Sequence, residues 1–143
     1  MPHPDPAHSV VIRRLIDAPR AEVFAAWTEA EGMSEWMCPG DVVSAQATLD
    51  VRAGGKFRIV MRRPGEEIVH TGVYRVVEPP SKLVFTWIAA GLPETLVTVE
   101  LFERAEQCEM VLTHEHFPGT DVADRYRNGW GRIAELLSGY LTT

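Results

Sequence analysis

The sequence predicts an α+β fold: a curved antiparallel sheet of about seven strands around a long C-terminal helix, with two short helices after the first strand. Three observations predict it. From about residue 43 to residue 117, apolar and polar residues alternate with period two in short stretches separated by turn residues, which is the pattern of an antiparallel meander. A strongly amphipathic stretch follows, with Val122, Tyr126, Trp130, Ile133, Leu137 and Tyr140 at steps of three and four. The only apolar surface large enough to receive so wide a stripe is the inner face of the sheet, so helix and sheet must pack together.

Each element follows in order. Residues 10–16 are rich in β-branched residues and read as the first strand, and Asp17-Ala18-Pro19 ends it with a proline well placed to start a helix. Val23, Phe24 and Trp27 recur at helical spacing, Gly32 interrupts them, and Met33 to Trp36 suggest a second short turn closed by Pro39-Gly40. Val43, Ala45, Ala47 and Leu49 then share one face, as do Phe57, Ile59 and Met61 after the turn at Gly54-Gly55. Pro64-Gly65 is a turn, residues 68–77 the next strand, and Pro79-Pro80 its end. Leu83, Phe85 and Trp87 form the fifth strand, with a break expected around Gly91-Leu92-Pro93. Residues 96–102 and 110–117 complete the sheet, and Thr120 or Asp121 is the expected cap of the final helix.

Composition sets the limits. A chain of 143 residues suits one domain, here expected over residues 8–143 behind a disordered tail, residues 1–7. Such a length buries enough surface to need neither metal nor disulfide, and Cys38 and Cys108 form no paired framework. The net charge of −6, with Lys56 and Lys82 the only lysines, disfavours nucleic-acid binding. Nothing resembles a signal peptide or an apolar run able to span a membrane, so a cytoplasmic protein is expected. A homodimer is plausible on general grounds.

The segments Asp17-Ala-Pro-Arg-Ala-Glu-Val-Phe24, Trp27, Trp36-Met-Cys-Pro39, Asp50-Val-Arg-Ala-Gly-Gly-Lys-Phe57, Gly72-Val-Tyr74, Glu78-Pro-Pro80, Leu83-Val-Phe-Thr-Trp87, Leu112-Thr-His-Glu-His116 and Gly129-Trp130 occur in that order. Together they resemble the AHSA-type domain of the START-like (SRPBCC) superfamily, homologous to the activator of the heat-shock-protein-90 ATPase. The resemblance covers about residues 8–142 and implies the helix-grip fold. Met37 departs from it, standing where the family often has a second tryptophan. The superfamily hosts carriers, cyclases, hydrolases and co-chaperones, so the resemblance implies function only broadly.

A curved sheet and a straight helix do not fit flush, so a mostly apolar cleft is expected between them. Strand parity nominates its lining: Phe57, Ile59 and Met61; His70 with Tyr74; Phe85 and Trp87; and His114 with His116, on the parity of Met110 and Leu112. Trp36, at the end of a short helix near the expected mouth, is the foremost ligand contact. Tyr126 and Trp130 contribute from the helix, Trp130 being the one most expected to be plain core. His114 and His116 at i, i+2, with His70, have the residue types of a metal site. No carboxylate shares their face, however, so hydrogen-bonded histidines are expected and no cofactor or metal. Neither cysteine has a base beside it in the sequence, and Glu100 and Glu115 fall on the outer face, so no catalytic constellation emerges.

Three functions follow. The favoured one is binding of a small apolar or aromatic molecule in the cleft. A stress-related co-chaperone-like module is the second. It is disfavoured because activation by the full-length eukaryotic homologue involves a separate chaperone-binding domain, for which this chain has no room. The third is a lyase, cyclase or hydrolase working through His70, His114 or Tyr74.

Overall fold

The computed structural model describes residues 7–142, so the expected tail, apart from Ala7, lies outside the described residues. Within them run β1 (Ser9–Ile16), α1 (Arg20–Thr28), α2 (Met33–Trp36), β2 (Ser44–Leu49), β3 (Lys56–Arg63), β4 (Glu66–Glu78), β5 (Lys82–Ala89), β6 (Leu92–Arg104), β7 (Gln107–Glu115) and α3 (Thr120–Thr142). The strands form one sheet in the order β1-β7-β6-β5-β4-β3-β2, every neighbouring pair antiparallel. After α2 the chain therefore meanders without a crossover, and β1 closes onto β7 at the far edge. Gly65, Gly91 and Ala105 take the left-handed backbone conformation in the turns after β3, β5 and β6, as tight antiparallel connections require.

Curvature has local causes. The register shifts between Tyr74 and Val76 in the β4–β5 pair, and between Trp87 and Ala89 in the β5–β6 pair, and each shift bends its strand and increases its twist. Where β4 bends, the Val73 N–H donates to the Thr86 hydroxyl at 2.8 Å, so a side chain keeps a ladder donor satisfied. Gly72 lies opposite Phe57. A Cβ there would overlap both the Thr86 carbonyl oxygen and the Phe57 ring, so only glycine lets the aromatic ring lie flat across the strand.

α3 buries Ala123, Trp130, Ile133, Ala134 and Leu137. Its Trp130 ring reaches Trp87 of β5 at 5.4 Å and Trp27 of α1 at 6.2 Å, which places the helix across the concave face as the amphipathic stripe predicts. This is the helix-grip arrangement. No helix among the described residues is long and apolar enough to cross a membrane.

The structure moves three expected boundaries. β6 begins at Leu92 and runs through Pro93, where a break was expected. Pro93 is exposed and sits second in the strand, a place where its missing N–H is tolerated. β7 stops at Glu115 because His116 adopts a left-handed φ of 77° and turns the chain. The first acceptor of α3 is the Gly119 carbonyl, bonded by the Ala123 N–H at 3.1 Å, so the cap falls to Gly119 and not to Thr120 or Asp121.

Two glycines should respond in opposite directions. Gly72→Ala forces Thr86 and Phe57 apart and should lower unfolding free energy by about 2–4 kcal/mol in urea titrations. Gly131→Ala, within α3 and with open space where its Cβ would go, should raise it by about 0.5–1 kcal/mol.

Candidate functional site

Trp87 divides the concave face. Its ring is buried among His70 at 4.8 Å, Trp130 at 5.4 Å, Phe57 at 6.1 Å and Phe85 at 6.3 Å. On one side its indole meets Trp130 and Tyr126 of α3, and on the other it faces a small void roofed by residues of α1 and α2.

The α3 side is closed by a chain of hydrogen bonds. Trp130 Nε1 donates to His114 Nδ1 at 2.9 Å, and an indole N–H can only donate. Nδ1 is therefore the acceptor nitrogen and Nε2 carries the proton, which goes to Thr95 Oγ1 at 2.7 Å. The Thr95 hydroxyl then donates to the Trp87 carbonyl oxygen at 2.8 Å. Four elements (α3, β7, β6 and β5) are thus tied together with every proton assigned. Trp87 Nε1 donates to the Tyr126 hydroxyl at 3.3 Å, and the Tyr126 ring stacks on Phe117 at 5.1 Å. Burial, aided by nearby His116, pushes the His114 pKa down to about 3. His70, packed over Trp87, is lowered by burial to about 4, partly offset by a backbone interaction with Ile59. Both rings are neutral at pH 7.

A cavity of about 10 Å³ remains on the other side, room for about one water molecule. Its floor is the inward face of four strands: Leu49 of β2, Phe57 and Ile59 of β3, Tyr74 of β4, and Phe85 and Trp87 of β5. Its roof is Trp27 of α1, Met33 of α2 and Met37, which ends α2. No lining residue carries a charge at pH 7. Burial, then the Asp50 carboxylate, pushes the Tyr74 phenol up to about 12, so it remains a hydrogen-bond donor.

The sequence-predicted residues divide accordingly. Phe57, Ile59, Tyr74, Phe85 and Trp87 come together around the cavity. Met61 and His70 are buried but stand outside it, and His114, Tyr126 and Trp130 belong to the closed α3 side. Trp36 does not line the cavity. It is fully buried edge-on against Trp27, with ring centroids 5.0 Å apart. His116 requires a correction: the left-handed turn that ends β7 reverses the parity, and its side chain is 63% exposed. The cleft was expected under the C-terminal helix, but no residue of α3 lines this void, whose roof is Trp27, Met33 and Met37. Sequence reasoning missed Trp27, Met33, Leu49 and Met37 as lining residues. The available signal was positional, because a short segment carrying two methionines precedes the strands on that half of the sheet. Among the described residues, no three His, Cys, Asp or Glu side chains gather as a metal site would require.

The neutral histidines set the acid response. The unfolded chain protonates each near 6.5, whereas the fold resists to about 4 for His70 and about 3 for His114. The unfolded state thus binds more protons as pH falls below 6.5, and stability present above that pH declines by up to about 1.4 kcal/mol per pH unit for each ring. His114→Gln preserves an acceptor for Trp130 and a donor for Thr95 while removing one titration. Urea unfolding between pH 6.5 and 4 should give a shallower slope for that variant than for the natural chain, and an equal slope would remove His114 from the account.

Solved structures share this architecture. CV1439 from Chromobacterium violaceum superimposes with a TM-score of 0.85 at 19% identity, covering 95% of this chain and 98% of that one. NE0264 from Nitrosomonas europaea gives 0.81 at 21% identity, with 94% of each chain covered. CalU16 from Micromonospora echinospora gives 0.74 at 24% identity, with 95% and 77% covered. At these identities the likeness establishes the fold. No curated protein matches the chain. The model of the family described as activator of Hsp90 ATPase homolog 1-like protein matches residues 17–142, and the chain belongs to that family.

Proposed function

We propose that this domain binds a small apolar or aromatic molecule between the sheet and the α1–α2 segment. The observation that carries the reading is a void on the concave face: aromatic and aliphatic side chains line it, and two methionines form part of its roof. A cavity of about 10 Å³ admits no such molecule as it stands, so binding requires the roof to give way. Methionine is suited to that, being unbranched and able to change rotamer at low cost. The helix beneath it is equally suited: α2 is four residues long, and its backbone bonds are confined to one turn, with Met37 N–H on the Met33 carbonyl at 2.9 Å and Glu35 N–H on the Gly32 carbonyl at 3.1 Å. So few backbone bonds leave the position of this segment to be set by the packing of Met33, Trp36 and Met37.

The alternatives have less to stand on. A co-chaperone role rests on the family's description, whereas ligand binding rests on a site. Catalysis through His114 would need a free ring nitrogen, and both are engaged. Tyr74, with its phenol pushed up to about 12, is no base at neutral pH.

Methyl NMR of the methionines tests the proposal, with indane as a compact hydrocarbon probe. The ε-methyl resonances of Met33 and Met37 should shift on titration, while those of Met61 and Met110, elsewhere in the core, should not. Met33→Ala should enlarge the cavity and tighten indane binding while lowering stability by about 2–4 kcal/mol. An unresponsive Met33 and Met37 at saturating indane would refute the reading.

A further inference from the structure

The four tryptophans of the chain divide by hydrogen bonding as they do by position. Trp87 and Trp130 donate to Tyr126 and His114. Trp27 and Trp36 are just as buried, at 2% and 0% exposure, yet neither indole N–H has an acceptor among the described residues. Their rings meet edge to face, 5.0 Å apart and inclined at 70°. In that geometry one N–H at most can point at the other ring's π face, a weak substitute for an oxygen. At least one buried donor is left unmet. Such groups are rare in folded proteins because the lost hydration is costly, and each calls for an explanation.

One donor belongs to the roof of the cavity and the other packs directly against it. Trp27 lines it directly, and Trp36 lies in α2 between Met33 and Met37, the two methionines that must move. We infer that the site selects, among apolar molecules, those carrying a neutral oxygen acceptor such as a ketone, ester or ether, which takes the N–H of Trp27, of Trp36 or of both. This rests on the ligand-binding reading above and adds the chemical class. An anion is the wrong ligand: no lysine or arginine lines the cavity, and Asp50 is close enough to help hold the Tyr74 phenol in its protonated form. A buried carboxylate there would have no countercharge. A cation is equally unsuited, since the lining offers no carboxylate and the unmet groups are donors.

Indane and 1-indanone, alike in shape and differing by one carbonyl, form the test. With the natural chain, 1-indanone should bind about tenfold tighter than indane, the effect of one well-made buried hydrogen bond. In ¹H–¹⁵N spectra the Nε1–H resonance of Trp27 or Trp36 should lie further downfield with 1-indanone than with indane, whereas those of Trp87 and Trp130, already bonded to Tyr126 and His114, should differ little between the two probes. Trp27→Phe and Trp36→Phe keep a ring but remove the donor. One of them, or the pair together, should abolish the preference for the ketone, read for each variant as the ratio of its 1-indanone to its indane affinity, whatever the change in packing does to both. Equal affinity for the two probes, or a carbonyl response at Trp87 or Trp130, would overturn the acceptor class while leaving the apolar site intact. If neither probe binds, the site itself is refuted and the inference goes with it.

Discussion

A single indole ring settles how the two covers of this sheet share their work. Trp87 stands on β5 beside its register shift with β6, and both covers touch it: α3 through Trp130 and Tyr126, and the α1–α2 side through the cavity it lines. A straight helix cannot follow a bent sheet over its whole width. Here α3 meets the sheet at Trp87 through Trp130, and the void beyond that indole is roofed by Trp27, Met33 and Met37.

The same division appears in the polar atoms. Under α3 a chain of donors and acceptors runs from Trp130 through His114 and Thr95 to the Trp87 carbonyl with none left over. Complete networks of this kind rigidify a core and fix one arrangement. Under α1 and α2 the buried indoles have no such partners. Rigidity on one side and unmet donors beside a methionine roof on the other are the features expected of a domain that keeps its shape while one corner adapts. His114 belongs wholly to the first side: burial that keeps its ring neutral and bonds that use both nitrogens suit a structural pin and exclude a general base.

Much of this was legible in the residues. Period-two alternation places Phe57, Ile59, Tyr74, Phe85 and Trp87 on one inner face because each strand keeps its pleat over that span. The α3 stripe identifies Trp130 as core for the same reason of fixed periodicity. Legibility ended where a single backbone torsion intervened. His116 shares the spacing of an inward residue, but a left-handed φ after Glu115 turns it to solvent, and nothing in the alternation announces that torsion. The position of the cavity was illegible for a different reason. Parity says which face a residue is on and not which element covers it, so the lining strands were identified while the roof, Trp27, Met33 and Met37, was assigned to the wrong helix.

Met37 shows why that roof matters. It stands where the resemblance leads one to expect a second tryptophan, and it is fully buried at the edge of the cavity. An indole there would be flat and rigid and would bring another N–H to satisfy. A thioether is slimmer and flexible, and it demands no hydrogen bond. A methionine at this place therefore gives the wall of the small void an unbranched side chain with no polar group to satisfy. The two sides are not independent: Trp130 of α3 lies 6.2 Å from Trp27 of the roof and 5.4 Å from Trp87, so a movement of the roof is felt by the same indole that donates to His114 and anchors the hydrogen-bond network.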